Sequence, residues 1–486
     1  MLKNRRRLTI GATLFITVVT VLVTVLLVGR ANVSAAAAPN ADTFKGHAVT
    51  VHPEVKLAQR DDSTNAVVFS CQRVSPAPTC YQPAQIRAAY GIQALLDAGI
   101  TGKGRTIAII DAFQNPSMAV DLSLFDSTFN LPAPNFTQIA PFGLTPFDIN
   151  DANMVGWSGE IALDVEWSHA VAPDAKILLV LAKSNDDRDI YNATKYVVDH
   201  NLADVISQSF GEGESCVDPK LERAQHDMFV KATQKGITLF ASSGDDGAAQ
   251  PTCDGASFFK SASSPASDPL VTAVGGTNLT ADPLTGAYQS EIAWNDARFG
   301  NDPNEGFSGG GFSNIYKRPA YQTNVPGTQK GHRGVPDVSY NAGVDGGVLT
   351  HWGTGLEALA GLPPDSPVFF IFGGTSAGSP QWAGLTALAD QLAGKRLGFL
   401  NSEIYRIGQS QSLYPLAFHD ITSGTNSITE FDDAGNPIIT IPGFTTAKGW
   451  DPVTGWGSPK SEAAILMLAF NIRANDGNDA CNDRGN

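Results

Sequence analysis

The sequence predicts an α/β fold in which a mostly parallel central sheet is flanked by helices on both faces. Short apolar runs, typical of buried strands, alternate with helical patterns between residues 106 and 242. Parallel strands require crossover connections, which helices usually provide. The chain has 486 residues, of which 42% are hydrophobic, so it is long enough to bury a full core.

The individual elements follow from changes of hydrophobic period along the chain. In chain order, we predict a helix at 83–90, a strand at 106–111, a helix at 158–170, a strand at 176–181, a helix at 189–200, a strand at 203–207, a helix at 220–235, a strand at 237–242, a strand at 367–372, a helix that begins near 376, and a helix at 461–470. Residues 275–365 are rich in Gly, Pro and Asn, and we expect long surface loops with short strands there.

Ligand sites in such sheets lie at the carboxyl ends of the strands. Ser209, residues 242–247 and residues 373–376 each follow a predicted strand. We therefore expect these three stretches to meet at one edge of the sheet.

The N-terminal region has the pattern of an export signal. Basic residues at 3 and 5–7 precede an uncharged apolar run at 8–28 and an alanine-rich segment at 34–38. We expect residues 1–38 to be a signal peptide or, because the run is long enough to cross a bilayer, an uncleaved anchor. The rest of the chain then lies outside the cytoplasm, and it is held at a membrane only if this segment is retained.

Two further segments differ in composition from the main part of the chain. Residues 39–80 are polar and contain proline, which predicts a leader or linker with little capacity to form a core. Residues 81–470 carry the alternating strand and helix patterns and form the predicted folded domain. Residues 471–486 are polar and charged, which is typical of a frayed tail.

Cysteine usage and net charge restrict the compartment and the partners. Of the five cysteines, Cys71 with Cys80 and Cys216 with Cys253 are expected to form disulfides if the chain is exported, and Cys481 is left over. Free buried thiols are the alternative. The formal net charge of −15 argues against nucleic acid and anionic lipid as partners.

Ser376 stands where an apolar strand, a break of two glycines and a helical pattern meet. The free N–H groups and the positive dipole end of a helix N-terminus can stabilise an oxyanion there. Pro380 is compatible with this arrangement because it falls in the first helical turn, where its missing N–H is not needed. Two interpretations stay open: Ser376 is an activated nucleophile, or it caps a core helix.

Carboxyl groups occur in two patterns that could serve this serine. Glu160 and Asp164 are four residues apart on a predicted helix and therefore share one face, where apolar neighbours should raise at least one pKa. Such a pair can act as a general base with an orienting partner, although a solvated acidic face has the same spacing. Asp245 lies on a glycine-flanked turn after a strand, either as a turn residue or as a protonated donor to an oxyanion.

A third pattern concerns two aspartates on glycine-rich loops. Asp420 lies in the stretch 418–424 and Asp451 in the stretch 447–452. Carboxylates accompanied by backbone carbonyls suit a hard cation such as Ca²⁺. The pattern differs from an EF-hand, and ordinary turns explain it nearly as well by themselves.

Together these stretches resemble the sedolisin family, the serine-carboxyl peptidases, over nearly all of residues 81–469. The motifs in family order are Gly-Glu-x-x-Leu-Asp at 159–164, Ser-Gly-Asp at 243–245, Gly-Val-Pro-Asp-Val-Ser at 334–339, Gly-Thr-Ser-Ala with a later proline at 374–380, His-Asp-Ile-Thr at 419–422 and Gly-Trp-Asp-Pro-Val-Thr-Gly at 449–455. Each motif is weak alone, but the ordered set is specific. The resemblance implies a subtilisin-like three-layer fold and a monomeric, secreted endo- or tripeptidyl peptidase that cleaves proteins or peptides in acid.

The resemblance assigns catalytic roles to the residues of this chain that match the positions of the family motifs. The resemblance implies that Ser376 is the nucleophile, Glu160 the general base and Asp164 the carboxylate that supports it. Asp245 would be the oxyanion-hole donor. An ionised Glu160 and a protonated Asp245 coexist only in acid, at roughly pH 3 to 5.

The resemblance also implies one structural Ca²⁺. Its side-chain ligands would be Asp420 and Asp451, and main-chain oxygens of Ile421, Ala447 and Gly449 would complete the protein ligands. Ala447 stands where relatives often carry glycine, but a backbone carbonyl survives that change.

Three other functions are weighed against this one. A subtilisin-type peptidase would use the acid at the end of strand 106–111, but it needs a His-Gly helix start, and none of the eight histidines precedes glycine. An esterase fits the Gly-x-Ser-x-Gly pattern at 374–378, yet only His419 follows the serine. A catalytically silent secreted protein is the third. It is suggested by the short stretch 29–80, where family members usually carry a large folded prodomain.

Overall fold

The computed structural model describes residues 44–51, 54–60, 68–73, 79–296, 298–299, 306–329, 331–353, 368–431 and 436–473. The predicted signal peptide or anchor at 1–38 and the tail beyond 473, with Cys481, lie outside the described residues. Within the described residues, no helix combines the length and the apolar character needed to span a bilayer.

The strands and helices have the following bounds. The strands are β1 Val55–Leu57, β2 Cys80–Tyr81, β3 Thr106–Ala112, β4 Asn135–Ile139, β5 Lys176–Ala182, β6 Val205–Gln208, β7 Glu212–Gly213, β8 Thr238–Ser242, β9 Ala249–Pro251, β10 Phe258–Lys260, β11 Ser263–Ser264, β12 Thr272–Ala281, β13 Tyr288–Ala293, β14 Arg298–Phe299, β15 Gly311–Phe312, β16 Gly334–Val335, β17 Val338–Asn341, β18 Gly347–His351, β19 Phe369–Phe372, β20 Phe418–His419, β21 Ile428–Phe431, β22 Pro437–Ile441 and β23 Ser458–Pro459. The helices are α1 Pro83–Ala89, α2 Ile92–Asp97, α3 Met118–Phe129, α4 Ala152–Val171, α5 Asp187–His200, α6 Pro219–Gln234, α7 Gly378–Ala393, α8 Asn401–Gln409, α9 Tyr414–Ala417 and α10 Ser461–Phe470.

The central sheet confirms the predicted fold class. Its strand order is β13-β12-β8-β6-β3-β5-β4, and β17 also pairs with β12. All of these pairs are parallel except β12 with β13. Helices α3, α4, α5 and α6 lie in the crossover connections from β3 to β4, β4 to β5, β5 to β6 and β6 to β8, as expected for buried parallel strands.

Alternating side chains of β3 show that both faces of the sheet are covered. Ile107 and Ile109 belong to the core cluster that also contains residues of α4 and α7. Ala108 and Ile110 belong to a second cluster, which contains residues of α5 and α6. Successive strand residues point to opposite faces, so the molecule has helices, sheet and helices in three layers.

The segment before residue 81 is part of the fold, which corrects one expectation. β1 pairs antiparallel with β19, and β19 pairs with β18 in a separate four-stranded sheet. Phe69 is 2% exposed, and Cys71 forms a disulfide with Cys80. The prediction that residues 39–80 have little capacity to form a core is therefore wrong for the described parts of that segment.

A second correction concerns residues 275–365. β12 continues to Ala281 and pairs with three other strands, including β17 at 338–341. The two adjacent glycines of β12 predict a loop by their composition. In the structure they lie in a long strand, at a place where bulky side chains pack against the backbone. A Cβ at Gly276 would lie 2.7 Å from the Trp294 ring.

The second predicted disulfide, between Cys216 and Cys253, is confirmed.

Candidate active site

Ser376 lies at the predicted junction of strand, turn and helix. β19 ends at Phe372, a single 3₁₀ turn spans Thr375–Ala377, and α7 begins at Gly378. Gly374 has a φ of 88°, and a Cβ there would lie 2.8 Å from Asp245 Oδ2. A side chain at this position would be both strained and crowded, so glycine is required beside the serine.

Glu160 and Asp164 lie one turn apart on α4, as predicted. The N-terminus of this helix is capped by Asp151, whose carboxylate accepts hydrogen bonds from the backbone N–H groups of Asn153 and Met154. From Trp157 onward the helix is buried, and the two acidic side chains are 1% and 0% exposed, respectively. The interpretation as a solvated acidic face is therefore wrong.

A third acid, Asp111, joins this pair from β3. It is 0% exposed, and neither of its carboxyl oxygens has a hydrogen-bond partner among the described residues. Burial raises its pKa to about 8. Burial and the charge of Asp111 together raise the pKa values of Glu160 and Asp164 well above their ordinary range. These three carboxyl groups, hereafter the acid cluster, therefore hold protons in mildly acidic solution.

The Ser376 hydroxyl lies between this cluster and the strand end at Ser209. Its Oγ donates to the Ser209 carbonyl at 3.2 Å, and the Ser209 hydroxyl donates to the Ser376 carbonyl at 3.3 Å. A hydrogen bond from Ser376 partly counters the upward shift in the pKa of Glu160. Both Ser376 and Glu160 line the same cleft.

Asp245 approaches the serine from the loop after β8. Its Oδ1 accepts hydrogen bonds from the Thr375 N–H at 2.7 Å and from the Thr375 hydroxyl at 2.6 Å. Its Oδ2 lies beside Gly374. The carboxyl group is therefore held against the turn that carries Ser376, where an oxyanion would form.

These groups line one cleft of about 810 Å³ at the carboxyl edge of the central sheet. Glu160, Ser209, Asp245 and Ser376 all contribute to its wall. Among the described residues, His47 is the histidine that lines it, and its ring nitrogens face Glu212 (2.6 Å) and the Cys253 carbonyl (2.7 Å). Carboxyl groups, and not an imidazole, are thus the proton acceptors beside the serine.

The two aspartates predicted to bind Ca²⁺ meet at a different place. Asp420 Oδ1 accepts a hydrogen bond from the Gly449 N–H at 3.0 Å, and Asp451 Oδ2 accepts one from the Ala447 N–H at 2.9 Å. Burial raises the pKa of Asp451 to about 6. Among the described residues, no group of three or more His, Cys, Asp and Glu side chains is placed to hold a metal ion, so any cation here would also need carbonyl ligands, such as that of Ile421.

Sequence reasoning missed two parts of the site. One is the place of Asp111 in the acid cluster, since the sequence suggests it only as the acid of a subtilisin-type triad, although an acid at the end of a buried strand can reach the same edge as Glu160. The segment around His47 was assigned to a linker. Its contribution to the cleft wall depends on long-range contacts that no local pattern shows.

Comparison with known proteins identifies relatives of this arrangement. Residues 152–405 match the Subtilase family of peptidases. The chain is 33% identical over 445 residues to kumamolisin of Bacillus sp. (strain MN-32), which covers 89% of this chain and 71% of that protein. It is 29% identical over 438 residues to sedolisin of Pseudomonas sp. (strain 101), covering 87% and 65%, respectively. Tripeptidyl-peptidase 1 of Rattus norvegicus is 31% identical over 278 residues, covering 55% and 44%.

Solved structures give the same result. A structure described as Pseudomonas sedolisin (serine-carboxyl proteinase) complexed with two molecules of pseudo-iodotyrostatin superposes with a TM-score of 0.65 at 28% identity. The match covers 82% of this chain and 100% of that one. This chain thus accounts for the whole of the solved sedolisin chain but for only part of the length of several curated relatives.

Proposed function

Since the chain belongs to the sedolisin family of serine-carboxyl peptidases, we propose that it hydrolyses peptide bonds in acid through an acyl-enzyme on Ser376. Glu160 would be the general base, Asp164 the carboxyl group that supports it, and Asp245 the donor to the oxyanion. The observation that carries this proposal is that Ser376, Glu160 and Asp245 line one cleft, where Asp245 is held against the turn that carries the serine.

The chemistry follows from these positions. Ser376 Oγ attacks the carbonyl carbon of the scissile bond while its proton passes to Glu160. The carbonyl oxygen gains negative charge and receives a hydrogen bond from protonated Asp245. The C–N bond then breaks, Glu160 returns the proton to the leaving amine, and a water molecule hydrolyses the ester by the same steps in reverse.

The acid cluster limits how many of its carboxyl groups can be ionised at once. Glu160 and Asp164 hold their protons well above the ordinary carboxyl range because they are buried and near Asp111. If all three groups were ionised, three negative charges would be confined with no ion-pair partner among the described residues, which is strongly unfavourable. The cluster therefore carries at most one negative charge in the working state, and the Ser376 hydroxyl, which lowers the pKa of Glu160, favours that group as the ionised one.

The test is cleavage of a denatured protein at pH 4 and pH 8 by the wild type, Ser376→Ala and Glu160→Ala. We expect activity at pH 4 that falls by at least about a thousandfold in either variant. Activity at pH 8 that survives Glu160→Ala would contradict the proposal. Ester cleavage without peptide cleavage would favour an esterase, and a folded but inactive wild type would favour a catalytically silent protein.

We also propose that Asp420 and Asp451, with main-chain oxygens of Ile421, Ala447 and Gly449, hold one structural Ca²⁺. Support comes from the two buried or half-buried carboxylates, whose loops contact each other. Both negative charges raise the pKa of the nearby Tyr414, after burial, which is the larger cause. A divalent cation would neutralise this pair and fix the loops on which it lies.

We further propose that the protein acts outside the cytoplasm, as a monomer, on protein or peptide substrates. The disulfides Cys71–Cys80 and Cys216–Cys253 support this location, because disulfides persist in oxidising compartments. Fractionation of the producing cells, followed by mass measurement of the N-terminus, would distinguish a secreted form from an anchored one.

A further inference from the structure

Residues 44–51, hereafter the N-terminal strap, lie along one wall of the cleft like an added strand. The Asp187 N–H donates to the His47 carbonyl at 2.8 Å, and the Val49 N–H donates to the Asn185 carbonyl at 2.8 Å. Ala48 forms an antiparallel bridge with Asp186. Main-chain pairing of this kind is how peptides commonly bind to exposed strand-like edges.

Glu54, which follows the strap in the sequence, also contributes to the wall of the cleft. The Gly373 N–H donates to the Glu54 carbonyl at 2.9 Å, and β1 begins opposite Phe372, at the end of β19 that leads to the Ser376 turn. His47, Thr50 and Glu54 all contribute to the wall of the cleft that contains Ser376. The strap and Glu54 therefore form part of the wall of the cleft in which a peptide substrate would bind.

One side chain of the strap enters an acidic pocket. His47 Nδ1 lies 2.6 Å from Glu212 Oε2, and His47 Nε2 lies 2.7 Å from the Cys253 carbonyl oxygen. The His47 backbone N–H also donates to Asp187 Oδ1 at 3.2 Å. Burial lowers the pKa of His47, but the Cys253 carbonyl and Glu212 outweigh it and the pKa ends above its ordinary value.

Glu212 is the residue that makes this pocket suit a cation. Its side chain is only 10% exposed, and burial together with the charge of Asp187 raises its pKa to about 7. Among the described residues no lysine or arginine pairs with it, and His47 is the cation that lowers its pKa. An ionised carboxylate buried to this extent is favourable only with a positively charged partner.

We propose that Glu212 and the Cys253 carbonyl form a subsite for a basic side chain of the peptide substrate, and that His47 is a built-in occupant that competes for it. This inference rests on the proposed function, because it assigns a specificity to the same cleft. An arginine or lysine side chain can donate both to the carboxylate and to the carbonyl oxygen, as the imidazole does here. Neutral side chains leave the carboxylate unpaired.

The preference of this subsite for basic side chains should increase with pH. Glu212 must be ionised to attract a cation, and its neighbours Asp187 and Glu222 oppose ionisation while His47 favours it. The preference for basic peptides should therefore be large at pH 7 and small at pH 4, where Glu212 is protonated. A charge-assisted contact of this kind corresponds to about tenfold to a hundredfold in affinity.

The test is peptide binding to the full chain with Ser376→Ala, which separates recognition from hydrolysis. Peptide pairs carry either arginine or its neutral isostere citrulline at each position in turn, and calorimetry gives the Kd of each peptide. At one position we expect the arginine peptide to bind at least about tenfold more tightly at pH 7. Adding Glu212→Gln should remove most of this ratio, and adding His47→Ala should lower the Kd of the arginine peptide severalfold.

The matched control is Asp254→Asn, which removes one negative charge from the exposed rim of the same cleft without contacting His47. It should leave the ratio unchanged. Equal binding of arginine and citrulline peptides at every position, or equal loss of the ratio in Asp254→Asn and Glu212→Gln, would overturn the inference. Failure of the wild type to hydrolyse any peptide would contradict only the proposed function, because this test does not depend on cleavage.

Discussion

Asp337 and Asp111 are both fully buried aspartates of the same fold, but their surroundings are opposite. Asp337 accepts hydrogen bonds from Arg333 Nη1, from the Ala273 N–H and from the Tyr405 hydroxyl, each at 2.8 Å. Asp111 has no hydrogen-bond partner for either carboxyl oxygen among the described residues. The first carboxylate is neutralised by a buried guanidinium, whereas the second lies near two further acids.

The difference distinguishes a carboxylate that stabilises the fold from carboxyl groups that are placed to transfer protons. A buried carboxylate with a complete set of partners fixes the segments that it joins, here β12, β17 and α8. A buried carboxyl without partners stabilises nothing when ionised, and it keeps its proton instead. Such groups are found at sites that transfer protons, where their pKa values are displaced from the ordinary range.

Breaking the Arg333–Asp337 pair should have the largest effect on stability. Arg333→Met leaves Asp337 as an uncompensated buried charge, so we expect the free energy of unfolding to fall by about 3–5 kcal/mol. Asp164→Asn, which neutralises a group that already holds its proton in acid, should change the same quantity by less than about 1 kcal/mol. Urea unfolding of both variants at pH 5 measures this, and equal losses would remove the distinction between the two surroundings.

Removing Asp111 tests whether the acid cluster sets the pKa of Glu160 and thereby the pH dependence of activity. Burial and Asp111 both raise the pKa of Glu160, and Asp111 competes with Glu160 for the single negative charge of the cluster. Asp111→Asn should therefore lower the pKa of Glu160 and move the acid limb of the kcat/KM profile to lower pH. We expect a shift of up to about one pH unit. The control is Asp390→Asn on α7, which removes another buried carboxyl whose pKa is raised by burial, to about 7, but which does not belong to the cluster. An acid limb that moves equally in both variants would contradict the account.

The smallest effect is expected at the pair Asp420 and Asp451. If they hold a cation, EDTA should lower the melting temperature by about a few degrees, because a ligand bound only to the folded state stabilises it. Asp420→Ala or Asp451→Ala should abolish this response. Asp282→Ala, on an exposed turn, should retain it. A wild type whose melting temperature does not respond to EDTA would contradict the proposed calcium site.

Local pattern was sufficient for part of this arrangement. The glycine pair before Ser376 and the spacing of Glu160 and Asp164 each lie within a few residues, so the turn and the helix that carry them could be predicted. The strap, the long strand β12 and the approach of Asp111 could not, because they depend on contacts between distant segments. Val55 opposite Phe372 is one such contact, and it decides that residues before 81 belong to the fold.

The pH dependence of stability tests the central claim, that the acid cluster keeps its protons in the folded state. The pKa of Asp111 is about 8 when folded, against 3.8 for an ordinary aspartate. Its contribution to stability is therefore complete below about pH 4 and is lost progressively as the pH rises to about 8, by about 1.4 kcal/mol per pH unit for one proton.

The decisive measurement is the free energy of unfolding of the wild type and Asp111→Asn at intervals from pH 4 to pH 8. We expect wild-type stability to fall across this range and the slope in Asp111→Asn to be shallower by about one proton. A wild type that becomes more stable toward pH 8, or equal slopes in the two proteins, would contradict the central claim.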